Sequence, residues 1–109
     1  MSDKRLIMYG RTAFCPDQGR AQRFLQANNV EYTQINIDED AAAGARVEQW
    51  VGHRSVPTLV IAAADDVLPI EEPAALAPGR SARSVDRGSL ITEPSDDALK
   101  AFLSRNGLL

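Results

Sequence analysis

Cys15 is the only cysteine in the chain. It stands in the stretch Tyr9-Gly10-Arg11-Thr12-Ala13-Phe14-Cys15-Pro16-Asp17-Gln18, where an apolar strand pattern (Leu6, Ile7, Met8, Tyr9) gives way to an amphipathic helix pattern beginning near Pro16. A cysteine at a strand-to-helix turn sits at a helix N-terminus, where the free N–H groups and the macrodipole favour thiolate over thiol. Pro16 suits the first helical position, because its missing N–H would have had no partner there. A thiolate held this way is chemically equipped to attack a disulfide sulfur. Asp17 opposes the negative charge, while the dipole and Arg11 support it, each of these two being worth roughly 0.5–1 kcal/mol at partial exposure. The plain alternative for Cys15 is a small apolar residue at the start of a helix.

The elements that must hold this turn are legible on either side of it. Residues about 5–9 read as a short buried strand, and about 16–29 as a helix with Ala21, Phe24 and Leu25 at i, i+3, i+4. Tyr32 to Ile37 reads as a second strand, with Ile35 and Ile37 pointing the same way. Asp38 is expected to cap a second helix over about 39–51, with Ala42, Ala45, Trp50 and Val51 as core contacts and Gly52-His53 as its end. Ser55-Val56-Pro57-Thr58 opens a third strand over Leu59–Ala62, and Ser89-Leu90-Ile91-Thr92 reads as a fourth. Ser95 caps a last helix with Asp96 and Asp97 in its first turn, Leu99, Phe102 and Leu103 as its apolar stripe and Asn106-Gly107 as its close. Strand–helix–strand in the first half implies a parallel pair with a right-handed crossover.

Between the third and fourth strands lies an insertion, about 64–88, with Pro69, Pro73, Pro78, Gly79 and Gly88, four acids early and Arg80, Arg83 and Arg87 late. A hairpin connection normally takes about two to five residues. The stretch reads mainly as loop, with a short helical turn around Pro73–Leu76 and a solvated face for the arginines.

The 109 residues fit one domain, 44% hydrophobic and 25% charged, as in an ordinary globular chain. A net charge of -3 with no dense basic run argues against nucleic acid or an anionic membrane as partner. One cysteine excludes an internal disulfide and fits a reducing compartment, so cytoplasmic localisation is the expectation. The N-terminal Met-Ser-Asp-Lys-Arg leads into only four apolar residues, neither a secretory h-region nor a membrane span.

The order β-α-β-α-β-β-α is that of the thioredoxin superfamily, a four-stranded mixed sheet flanked by helices. Tyr9-Gly10-x-x-x-x-Cys15-Pro16-Asp17 resembles the active-site turn of glutaredoxins, Ser55-Val56-Pro57-Thr58 their (Thr/Ser)-Val-Pro segment, and Leu90-Ile91-Thr92-Glu93-Pro94-Ser95 their last strand and helix start. The resemblance implies a cis peptide before Pro57, and a Val56 backbone turned toward Cys15 that pairs with an extended thiol substrate. It also implies glutathione as cosubstrate, its γ-glutamyl end met by Asp96 and Asp97, with no tightly bound cofactor and no metal; beside them Arg11 reads as a cation for a glutathione carboxylate or as a solvated surface charge, and Gln18 as a substrate hydrogen-bonding group or as a filler of the second cysteine's place.

Two departures shape the expected chemistry. Family members with two active-site thiols carry a second cysteine where Gln18 stands, so Cys15 must work by a monothiol route through mixed disulfides. Glu93-Pro94 stands where the family often has two glycines, which puts a negative charge beside the expected path of an anionic tripeptide. The reading is therefore a monothiol glutaredoxin-like oxidoreductase acting on glutathione mixed disulfides. Its alternatives are a non-catalytic binding or adaptor module using the insertion, and a glutathione-assisted [2Fe–2S] carrier; an arsenate-reductase-like enzyme ranks below them, since Gly19 stands where that family has arginine.

Overall fold

Leu6 to Gly10 form a run with no exposed member, and a run without alternation needs a sheet covered on both faces. The computed structural model, which describes residues 4–13 and 15–109, supplies that cover. Residues 1–3, and Phe14 of the Tyr9–Gln18 stretch, lie outside the described residues. Strand β1 (Lys4–Gly10) pairs in parallel with β2 (Thr33–Asn36) and antiparallel with β3 (Thr58–Ala63), which in turn pairs antiparallel with β4 (Leu90–Thr92). The sheet order is β2-β1-β3-β4.

Successive side chains of a strand face opposite ways, so β1 divides its apolar residues between two cores. Leu6 and Met8 join Leu59, Ile61 and Ile91 under helices α1 (Pro16–Ala27) and α3 (Asp96–Arg105), which contribute Leu25, Phe102 and Leu103. Ile7 and Tyr9 join Val56, Val60 and Leu90 under helix α2 (Ala41–Val51), which contributes Ala43 and Val47. The result is the mixed four-stranded sheet flanked by helices that the element order implied.

The second helix differs from its expected form. Asp40, not Asp38, is the N-cap, accepting the Ala43 N–H at 3.0 Å. The chain first turns on Asn36, whose carbonyl accepts the N–H groups of Glu39 and Asp40 and whose side chain accepts that of Asp38. Ala42 and Ala45 are exposed; the buried stripe runs through Ala43 and Val47 to the half-buried Trp50 and Val51. Five small residues in a row gave little hydrophobic contrast, and Val47 decides which of them face the sheet. Gly52 ends the helix in the left-handed conformation, φ 98°, which glycine adopts without steric penalty.

The insertion is a bound strap. Going out, Tyr9 donates its hydroxyl to the Val67 carbonyl, Arg5 grips the Asp66 carbonyl, and the Ile70 N–H donates to Ile61 O at 2.8 Å. No helical turn forms at Pro73–Leu76, because Ala74 bonds across to the returning arm instead, its N–H donating to Arg87 O at 3.0 Å. The return passes the free edge of β4, where Ser84 N–H donates to Thr92 O at 2.8 Å. Arg87 is not on a solvated face: it is buried and donates to the carbonyls of Ala74 (2.7 Å) and Trp50 (2.6 Å). The second of these lies in the last turn of α2, where a cation complements the helix dipole.

Candidate functional site

Cys15 is the N-cap of α1, extended at φ -140° and ψ 117°, and its carbonyl accepts the Gly19 N–H at 2.9 Å to close the first turn. Its side chain makes no cap hydrogen bond, so the sulfur stands at the positive end of the helix without being tied to the helix backbone. The half-buried thiol faces the Val56 carbonyl, Sγ to O 3.7 Å. The Val56–Pro57 peptide is cis. Thr58 secures the turn, its hydroxyl donating to Ser55 O at 3.0 Å and lying 3.1 Å from that of Thr92.

Gln18 is buried, and its amide is occupied by main chain. Its Oε1 accepts the Arg11 N–H and its Nε2 donates to Arg11 O, both at 2.8 Å. The clamp fits because residue 10 is glycine: a Cβ there would come within 2.6 Å of Gln18 Oε1. The Arg11 guanidinium reaches Asp38 at 3.7 Å and donates to Arg54 O at 3.4 Å. Arg11, Gln18 and Cys15 line one open groove of about 450 Å³, together with Thr12, Gln22 and Gln34.

Asp17, one turn position past Pro16, is the hub of an ion-pair cluster. Arg83 of the strap binds it through two parallel bonds, Nη1 to Oδ2 and Nη2 to Oδ1, each 2.8 Å. Arg83 also pairs with Glu93, and Arg20 binds Asp17 at 3.0 Å. Hydrogen bonding from Arg83 holds the Asp17 carboxyl below the usual carboxylate range, against the opposing effect of desolvation. Glu93 takes a left-handed backbone, φ 46°, which costs a residue with a Cβ roughly 1 kcal/mol. Its N–H donates to Pro57 O at 2.8 Å, joining the start of the last helix to the site.

The structure thus brings Cys15, Val56, Pro57, Arg11 and Gln18 together, while Asp96 and Asp97 stand exposed in the first turn of α3, reached through Glu93. Among the described residues no three His, Cys, Asp or Glu side chains cluster in a way that would hold a metal ion, and no helix is long and apolar enough to cross a membrane.

A sequence profile of the family described as Glutaredoxin matches residues 6–64. The chain belongs to the glutaredoxin family. The match spans the Cys15 turn and the cis-proline strand and stops where the strap begins. Among solved structures the chain is similar to the glutaredoxin of Archaeoglobus fulgidus, with 30% identity over 62% of this chain and 77% of that one and a TM-score of 0.46. It is also similar to the buckwheat glutaredoxin–glutathione complex, with 17% identity over 97% and 73% and a TM-score of 0.52, which supports the glutaredoxin fold. A third similar structure is the holo form of glutaredoxin C1 from Populus tremula x tremuloides, at 16% identity over 94% and 77% with a TM-score of 0.48. No match is found among curated proteins. Family membership, with Cys15 placed at the helix start, supports a thiol redox role for this glutaredoxin.

The sequence pointed to the glutaredoxin turn but not to the Arg83–Asp17–Glu93 cluster. The available signal was compositional: arginines collected at the end of the insertion, and acids next to both Cys15 and Pro94.

Proposed function

We propose that this glutaredoxin is a monothiol thiol–disulfide oxidoreductase acting on glutathione mixed disulfides in a reducing compartment, the cytoplasm. The observation that carries the reading is the Cys15 sulfur facing the Val56 carbonyl, with no second thiol in the chain. The Cys15 thiolate attacks the glutathione sulfur of a protein–glutathione disulfide. A Cys15–glutathione disulfide forms, the old S–S bond breaks, and the protein thiolate leaves. A second glutathione thiolate then attacks the glutathione sulfur on Cys15, releasing glutathione disulfide and restoring the Cys15 thiolate. Gln18 carries no thiol and so provides no internal alternative; its amide holds the Arg11 main chain. The Val56 backbone beside Pro57 offers strand-like pairing to an extended tripeptide, and Arg11 a cation for one of its carboxylates.

The test is intact mass after treatment with glutathione disulfide, followed by turnover of a glutathionylated peptide. The expected result is one adduct on Cys15, removed by added glutathione, and turnover that Cys15→Ser abolishes. Absence of the adduct, or turnover that survives Cys15→Ser, overturns the reading.

A further inference from the structure

We propose that Arg83, a residue of the strap rather than of the glutaredoxin core, sets the charge preference of the Cys15 site and makes it accept small anionic thiols and disulfides. The inference rests on the functional reading above for its substrate class, but its geometry stands independently.

Two carboxylates stand on the segments that build the Cys15 site. Asp17 lies two residues along the same helix, and Glu93 hydrogen-bonds through its N–H to Pro57 O. Left bare, they would repel any anion coming to the sulfur from that side. Arg83 binds both, and it is the outermost of the three: its side chain is 50% exposed, against 21% for Asp17 and 22% for Glu93. An approaching molecule therefore meets a guanidinium with the acids beneath it. With Arg20 also on Asp17, the cluster holds two cations against two carboxylates. Arg11, which lines the groove at Cys15, is itself paired with Asp38. Removing Arg83 leaves the face net negative.

The position of Arg83 is built into the main chain. Besides the Ser84 bond to Thr92 O, the Ser84 hydroxyl donates to Glu93 O at 3.3 Å and accepts the Ser95 N–H at 2.9 Å. Arg83 itself forms a parallel bridge with Thr92. These bonds fix the strap against the β4–α3 connection, so the guanidinium is presented at one place.

The experiment compares alkylation of Cys15 by iodoacetate, an anion, with alkylation by neutral iodoacetamide, and reads the ratio of the two rates at low ionic strength. Arg83→Gln is expected to lower that ratio about threefold, an effect that shrinks with added salt. Arg83→Lys is expected to retain the ratio. In Asp17→Asn/Arg83→Gln the balance of charge is restored and the ratio returns toward that of the parent, which a merely structural role would not produce. Glu93→Gln, with Arg83 in place, raises the ratio and covers the case in which Arg83→Gln does not fold. A ratio unmoved by Arg83→Gln, or by Glu93→Gln, overturns the proposal, as does a fall that the double variant does not reverse. These reagents need no glutathione turnover, so loss of turnover counts against the functional reading and an unmoved ratio against this one.

Discussion

The Gln18 side chain holds both main-chain polar groups of Arg11, accepting its N–H and donating to its carbonyl at 2.8 Å each. The position three residues past Cys15 is thereby a structural one in this chain. It joins the first turn of α1 to the end of β1, and so fixes how the strand hands over to the helix that carries the thiol.

Gly10 and Gln18 should behave as one unit in stability measurements. Gln18→Ala leaves two partly buried main-chain groups without partners, a loss of roughly 1–3 kcal/mol. Gly10→Ala brings a methyl within 2.6 Å of Gln18 Oε1 and displaces the same amide. Urea unfolding of the two single variants and the double is expected to show that Gly10→Ala is much milder once Gln18 is alanine. Additive losses would show that the clamp is not what the glycine protects.

Acid should expose the Asp17–Arg83 pair. The folded carboxyl is held below its ordinary value by the Arg83 hydrogen bonds. A depressed carboxyl contributes stability above its unfolded pKa of about 3.9, and that contribution is lost as pH falls through the lower folded value. The gap in unfolding free energy between parent and Asp17→Asn is therefore expected to stay constant from neutral pH down to about 5 and to close as the medium becomes more acid. A gap independent of pH down to acid unfolding would mean the pair adds nothing to the folded state.

Arg87 should anchor the strap. Arg87→Met leaves the carbonyls of Ala74 and Trp50 without their charged donor, and a loss of roughly 2–4 kcal/mol is expected from urea unfolding. Arg87→Lys keeps the charge but not the two-pronged reach, so it should fall between. Limited proteolysis within the strap should quicken in the same order. If Arg87→Met leaves both stability and cleavage unchanged, the buried guanidinium is not the anchor.

What could be read along the chain was what neighbouring residues decide together. The apolar run before Gly10, the Ala21–Leu25 stripe, the Ser95 cap and the Leu99–Phe102–Leu103 face are local patterns, set by strand and helix periodicity and by capping chemistry, and the structure keeps them. The glutaredoxin turn around Cys15 was legible for the same reason, being a short stretch whose residue types carry their own geometry. The α2 face was not, because a run of small residues has no strong preference until Val47 meets the sheet. The strap was least legible. Its prolines deny it periodicity, and the roles of Arg83 and Arg87 depend on partners 66 and 37 residues away in the chain. Only the folded sheet, with the free edge of β4 to guide the returning arm, brings Arg83 down onto Asp17, so this charge cluster was decided by tertiary structure.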